Sequence, residues 1–191
     1  MNHYYLPFDP NADVNYLHLF SLYDVATYRP EKKAFDTIKY QSIPKLSAEC
    51  GLSQNILYSI TKSQKYSHFF TFNSKEKTIT LHNSFPKEEK NGPFVCLTSA
   101  EVAFLRQHND NLLCKYLIYT KFYCGLAKKM GKKQDFTAKQ FLSACGYSIN
   151  SQSYIDKVSN YNGLLSKAGF ITIEKKRDEL GHTRNLYSYL P

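Results

Sequence analysis

The sequence has few cysteines and no tryptophan. Its five cysteines form an odd, scattered set without a C-x-x-C pair, which argues against a disulfide framework or a zinc ribbon. We therefore expect reduced, mostly buried thiols. Cys50 and Cys145 each stand just before a glycine, where a small side chain can pack between two helices.

The sequence also lacks targeting and membrane signals. Residues 1–7 contain no basic segment followed by a long apolar stretch. No later segment has the uninterrupted apolar length that a membrane span requires. These absences predict a cytoplasmic protein without membrane insertion.

Motifs of several enzyme classes are missing as well. There is no G-x-x-x-x-G-K-[ST] phosphate loop, no G-x-S-x-G elbow and no H-E-x-x-H helix. The six histidines are dispersed without metal-ligand spacing. The sequence thus predicts a non-enzymatic protein with no catalytic residue, metal or cofactor.

A short phrase occurs twice in the chain. LSAECGLS at residues 46–53 returns as FLSACGYS at residues 141–148, and Cys50 and Cys145 are 95 residues apart. Each copy combines a short helix pattern, a glycine turn and a second amphipathic helix, which is the order of a helix-turn-helix. Alternating segments that favour a β-hairpin follow both copies. The sequence therefore predicts two tandem α+β units.

Basic charge is concentrated in the second half. The net charge is +9, of which residues 1–95 carry eleven Lys or Arg against nine Asp or Glu, and residues 96–191 carry fourteen against seven. Such a surplus favours a polyanionic partner, although soluble proteins without one also carry it.

In the first unit, the pattern predicts a helix over residues 13–28, then a strand or loop over 36–42. Ser42 and Pro44 are typical of a helix start, Gly51 of a turn, and Ser53 of the cap of a second helix. A hairpin of residues 66–72 and 78–82 follows. Residues 84–93 read as a linker, which places domains at 1–92 and 93–191, close enough to pack as an internal pseudo-dimer.

In the second unit, helical spacing predicts a long helix from about 111 to 130, closed by a basic cluster at 128–133 that either contacts phosphate or complements the helix end. Thr137 caps the next helix, and the second helix of the pair begins near Ser151 or Ser153. Residues 171–174 and 185–189 form a hairpin around a long basic tip.

These segments resemble the winged-helix DNA-binding superfamily, in which a β-hairpin wing follows a helix-turn-helix. The resemblance rests on residues 46–60 with their hairpin, and on residues 141–171 with 185–189. Residues 164–171, LLSKAGFI, are similar to the helix-to-wing junction of many bacterial regulators. The tandem arrangement also resembles plasmid replication initiators and small DNA-binding proteins of Gram-positive conjugative plasmids.

The resemblance implies major-groove recognition of double-stranded DNA, because Gln and Asn can pair with base edges while basic side chains hold phosphates. The candidate DNA-binding residues of the first unit are Gln54, Asn55, Tyr58, Ser59, Lys62, Lys75 and Lys77. Those of the second unit are Ser151, Gln152, Ser153, Lys157, Asn160, Lys175, Lys176, Arg177 and Arg184.

Three functions fit this sequence. The first is a non-enzymatic duplex-DNA-binding protein of a mobile genetic element, acting as a regulator or as an accessory factor in DNA processing such as conjugative transfer. The second is a plasmid or phage replication initiator. The third is a winged-helix protein-interaction module without DNA contact, and either of the first two would act with protein partners in a replication or transfer complex.

Overall fold

The structure, a computed structural model, describes residues 3–29, 34–82, 93–177, 179 and 183–190. Within these residues it is α+β, with seven α-helices and nine strands in three antiparallel sheets. The chain divides into two compact units, one made of Met1–Phe8 with Ala12–Asn109 and the other of Asp9–Asn11 with Asp110–Pro191. None of the described helices is long and apolar enough to cross a membrane.

The first unit contains six strands, four α-helices and a 3₁₀ turn at Gln64–Tyr66. Its elements in chain order are β1 His3–Pro7, α1 Tyr16–Asp24, β2 Thr27–Arg29, β3 Ala34–Lys39, α2 Ile43–Cys50, α3 Gln54–Lys62, β4 Phe70–Asn73, β5 Thr78–Leu81, β6 Phe94–Thr98 and α4 Ser99–His108.

Two sheets organise this unit. The larger has the strand order β2-β3-β5-β4, and the smaller pairs β1 with β6. The core between helices and sheet is aromatic and aliphatic: the rings of Tyr16 and Phe69 meet edge to face at 5.8 Å, and Leu46, Leu57 and Ile79 are fully buried. Burial of these side chains stabilises the fold by about 1.5–3 kcal/mol each.

The second unit begins with the long helix α5. Its elements are α5 Asn111–Lys129, β7 Gln134–Asp135, α6 Ala138–Ala144, α7 Gln152–Lys167, β8 Ile171–Arg177 and β9 Thr183–Tyr189. Tyr116 and Phe141 pack edge to face at 4.9 Å in its core, and Phe136 stacks on Tyr187 at 4.5 Å. The predicted long helix and the Thr137 cap are confirmed, and Ser151 immediately precedes α7 as expected.

The two units repeat one topology. Each runs helix, strand, helix, helix, strand, strand: α1-β3-α2-α3-β4-β5 in the first, once β2 is set aside, and α5-β7-α6-α7-β8-β9 in the second. In both repeats, the third strand of this series lies between the other two, giving β3-β5-β4 and β7-β9-β8. The repeat in the sequence therefore corresponds to a repeat in the fold.

The cysteine prediction agrees with the packing. All five cysteines are free, and all but Cys96 are buried. Cys50 ends α2 before Gly51, and Cys145 follows α6 before Gly146. Burial raises the pKa of the Cys145 thiol to about 12, so this thiol is protonated at neutral pH and packs as a small apolar side chain.

The first helix is shorter than its pattern predicted. α1 covers Tyr16–Asp24, whereas the expectation was residues 13–28. Asn15 accepts from the backbone N–H of Leu17 and fixes the start, and the chain turns at Val25 into strand β2. Pairing of β2 with β3 overrides the weak helical pattern at this end.

The division between the units also differs from the boundary expected near Gly92. Strand β6 pairs with β1 along its whole length, from Phe94 opposite Pro7 to Thr98 opposite His3. Thr98 also caps α4. Residues 94–109 therefore belong to the first unit, and the predicted linker, apart from Pro93, lies outside the described residues.

The second hairpin is longer than expected. Lys175, Lys176, Arg177 and Arg184 were assigned to a loop, but they lie on paired strands, with Lys176 opposite Arg184 and Arg177 opposite Thr183. Charged residues on a solvent-facing hairpin lack the alternation that identifies a strand. Part of the expected tip lies outside the described residues.

Candidate nucleic-acid interface

A tight turn joins α2 to α3. Gly51 adopts the left-handed region at φ 71°, which glycine reaches without steric cost. The Ser47 hydroxyl donates to the carbonyl of Leu52 over 2.6 Å, and Ser53 Oγ accepts from the backbone N–H of Ile56. The predicted roles of Ser42, Gly51 and Ser53 are confirmed, and they fix where α3 begins.

One face of α3 is buried and the other is exposed. Leu57 and Ile60 are buried, and Ile56 is half-buried at their edge. The exposed face carries all five α3 residues that the sequence proposed as DNA-binding: Gln54, Asn55, Tyr58, Ser59 and Lys62. Tyr58 is unusually open for an aromatic residue, with 45% of its surface accessible, and Lys62 Nζ lies 5.6 Å from its ring centre.

The hairpin of the first unit presents two lysines at its tip. Lys75 and Lys77 are exposed between β4 and β5. The tip is held by Asn73, whose Oδ1 accepts from the backbone N–H groups of Lys75 and Glu76 at 3.1 Å each. Glu76 offsets one of the two positive charges, so this hairpin is only weakly basic.

The exposed face of α7 differs from that of α3 in an important way. Gln152, Ser153, Lys157 and Asn160 are exposed as predicted. The Gln152 amide, however, donates to Asp156 Oδ1 at 2.8 Å. Asp156 is an exposed carboxylate that the sequence reasoning overlooked, although its i, i+4 spacing from Gln152 signals such a pair.

Ser151 does not cap α7 with its side chain. It occupies the capping position of α7 but makes no capping hydrogen bond with its side chain. Its Oγ lies 3.1 Å from Ser153 Oγ instead. The two hydroxyls therefore contact each other at the start of the helix.

The four basic residues of β8 and β9 lie on both faces of their hairpin. Side chains on a strand alternate between faces, and residues directly opposite share a face. Lys175 and its partner Asn185 therefore share the face of the buried Tyr187, which packs toward the helices. Lys176 and its partner Arg184 occupy the opposite face. The structure brings all four onto one hairpin but does not place them on one surface.

Two further lysines lie next to this hairpin. Lys132 and Lys133 follow α5 and line a concave surface together with Lys176, Arg177 and Arg184. Lys133 pairs with Glu174, and Arg184 lies 3.5 Å from Asp135. The basic cluster at the end of α5 is thus adjacent to the hairpin, which the spacing in sequence could not show.

A partly buried polar network links the hairpin to α7. The Tyr116 hydroxyl donates to Asn162 Oδ1 at 2.5 Å, and Asn162 Nδ2 approaches the Tyr187 hydroxyl at 3.3 Å. Asn185 Nδ2 lies 3.4 Å from the same hydroxyl. Hydrogen-bond networks of this kind favour one arrangement of their members. The bond between Asn162 and Tyr187 therefore ties the hairpin to α7.

Comparison of the chain with models of protein families, with curated proteins and with solved structures found no match. The arrangement of the described residues is therefore the basis for any functional assignment.

Proposed function

We propose that this chain is a non-enzymatic protein that binds double-stranded DNA through two winged-helix units. The observation that carries the proposal is the repeated topology, in which a tight helix pair precedes a hairpin in each unit and the strand order is the same. In such a unit the second helix of the pair enters the major groove and the hairpin contacts the backbone. Here α3 and α7 are the recognition helices.

The exposed residues suit these roles. The outward faces of α3 and α7 are rich in amides and hydroxyls, and the β8-β9 hairpin carries four cations. Residues 110–191 contain thirteen Lys or Arg and six Asp or Glu, so the second unit supplies most of the attraction for phosphate. Action as a regulator or a transfer factor of a mobile element, rather than as a replication initiator, stays a prediction from the resemblance.

The test is duplex binding measured by fluorescence anisotropy across a salt series. Log affinity decreases with log salt, and the magnitude of this slope becomes smaller by about 0.9 for each phosphate contact removed. Replacing Lys175, Lys176 and Arg177 by Gln should therefore lower the slope by about 2 to 3. The matched control replaces Lys121, Lys139 and Lys167, three lysines on α5, α6 and α7 that lie outside the candidate residues and the basic cluster at 128–133.

The control triple removes the same net charge from the same unit, so it separates local contact from general attraction. A slope that falls equally in both triples would contradict contact by the hairpin. No duplex binding at low salt would overturn the DNA proposal and favour protein recognition by the two units. Thermal unfolding of each variant verifies that the fold is intact.

A further inference from the structure

The exposed face of α3 contains two amides and a tyrosine in a compact arrangement. Gln54 and Asn55 lie in the first turn, and Tyr58 lies one turn further along the same face. At a rise of 1.5 Å per residue, the three side chains span about 6 Å of helix. That length corresponds to about two base-pair steps of duplex DNA.

These amides are available for an external partner. Within the described part of the chain, the side chains of Gln54 and Asn55 make no hydrogen bond. The position four residues after Gln54 is Tyr58, whose side chain makes no hydrogen bond with the amide, whereas Asp156 accepts one from Gln152 on α7. The first turn is also where recognition helices contact base edges.

The residue types on this face favour one kind of base pair. Asn and Gln form paired hydrogen bonds with N6 and N7 of adenine, and an apolar surface contacts the thymine methyl group. Guanine is most often read by Arg, or by Lys. The chain has only four arginines, at positions 29, 106, 177 and 184, and none is on α3 or α7. The lysine of α3, Lys62, lies in its last turn.

We infer that α3 reads A·T base pairs in the major groove, with Gln54 and Asn55 binding adenine and the Tyr58 ring contacting the thymine methyl. This inference rests on the proposed function. It assigns A·T selection to α3 of the first unit, whose hairpin is only weakly basic, while the cations of the second unit supply most of the attraction for phosphate. Lys62, close to the Tyr58 ring, is placed to contact the backbone beyond the bases.

The first experiment is selection of binding sites by the full chain from a random-sequence duplex library. A·T pairs should be enriched at two or more adjacent positions. The Gln54→Ala/Asn55→Ala variant should lose that enrichment while retaining salt-dependent duplex binding. Gln107→Ala, which removes an exposed glutamine from α4 in the same unit, is the control and should select the same sites as the unaltered chain.

The second experiment changes single groups on the selected duplex. Replacing an A·T pair by inosine·cytosine keeps the minor groove of A·T but gives the major groove of G·C, and should weaken binding about five- to hundred-fold. Replacing thymine by uracil removes only the methyl group. It should weaken binding by the unaltered chain several-fold and leave binding by Tyr58→Ala unchanged.

The outcomes separate this inference from the proposed function. Duplex binding with G·C enrichment, with no enrichment, or with A·T enrichment that survives in Gln54→Ala/Asn55→Ala would overturn the inference and leave DNA binding intact. Tolerance of inosine·cytosine would place A·T selection in the minor groove and overturn it too. Absence of all duplex binding would overturn the proposed function itself.

Discussion

Gln152 donates its side-chain amide to Asp156 Oδ1 across 2.8 Å, one turn further along α7. The corresponding pair on α3 is Gln54 and Tyr58, which leaves the amide unoccupied. The two repeated helices therefore present different chemistry, one with an uncharged first turn and one with a carboxylate beside its amide.

Under the proposed function, Asp156 should weaken DNA binding, because it places a negative charge on the exposed face of α7 that would meet the DNA. Asp156→Asn removes that charge and retains an oxygen that can accept from Gln152. We expect duplex affinity at low salt to rise about two- to five-fold. The control is Glu49→Gln, which removes an exposed carboxylate from α2. Anisotropy titration checks this, and weaker binding of Asp156→Asn would indicate that Asp156 contacts a base, as carboxylates do with cytosine.

The turn before α7 should favour glycine. Gly146 has φ 73°, and an added Cβ would lie 2.6 Å from Asn11 Oδ1. We expect Gly146→Ala to lower the free energy of unfolding by at least about 1–2 kcal/mol. Gly125→Ala is the matched control, because Gly125 lies within α5 with open space around it. It should raise stability by about 0.5–1 kcal/mol. Urea unfolding followed by circular dichroism measures both, and equal effects would contradict the role of the turn.

Local patterns predicted most helices because their signals are short-range. Ser42 and Ser53 cap helices with their own hydroxyls, and Gly51 turns the chain through its own φ angle. These effects depend on a few neighbouring residues. The exposed position of the candidate residues of α3 was predictable for the same reason, since the burial of Leu57 and Ile60 fixes which face is exposed.

Contacts between distant residues could not be predicted in this way. The pairing of His3 with Thr98 joins two segments far apart in the sequence, and no local pattern predicts that they pair. Because of this pairing, β6 and α4 belong to the first unit. Lys133 reaches Glu174 only because β7 is added to the hairpin sheet. Such contacts depend on sheet order and register, which follow from packing of the whole unit.

The second unit should lose stability in alkaline solution. Burial raises the pKa of the thiols of Cys114, Cys124 and Cys145 to about 12, from an ordinary value of 9.0. Each thiol therefore holds its proton more tightly in the folded chain than in the unfolded chain. The stability is fully present below pH 9 and is lost as the pH rises towards 12.

Cys145→Ala tests this pH dependence under reducing conditions. It removes one of the titrating groups, so the loss of unfolding free energy above about pH 9 should be less steep by about 1.4 kcal/mol per pH unit. Urea midpoints between about pH 8 and about pH 11 measure the slope. A constant loss of stability at every pH, with the slope unchanged, would show that the thiol packs there without affecting the titration.

The two faces of the β8-β9 hairpin should contribute unequally to DNA binding. Lys175 shares a face with Asn185 and Tyr187, and Tyr187 is linked to α7 through Asn162. Lys176 lies on the opposite face. A duplex that rests on α7 therefore meets Lys175 first. Lys175→Gln should lower the salt slope by about 0.9, and Lys176→Gln should lower it less.

These two variants control for each other, because adjacent residues of one strand lose the same charge and the same side-chain length. The measurement is again fluorescence anisotropy across a salt series. Thermal unfolding shows whether the β8-β9 hairpin remains folded in both variants. Equal losses would mean that the hairpin enters a groove and touches phosphates with both faces. A larger loss for Lys176→Gln would place the duplex on the concave surface with Lys132 and Lys133, away from α7, and would contradict α7 as a recognition helix.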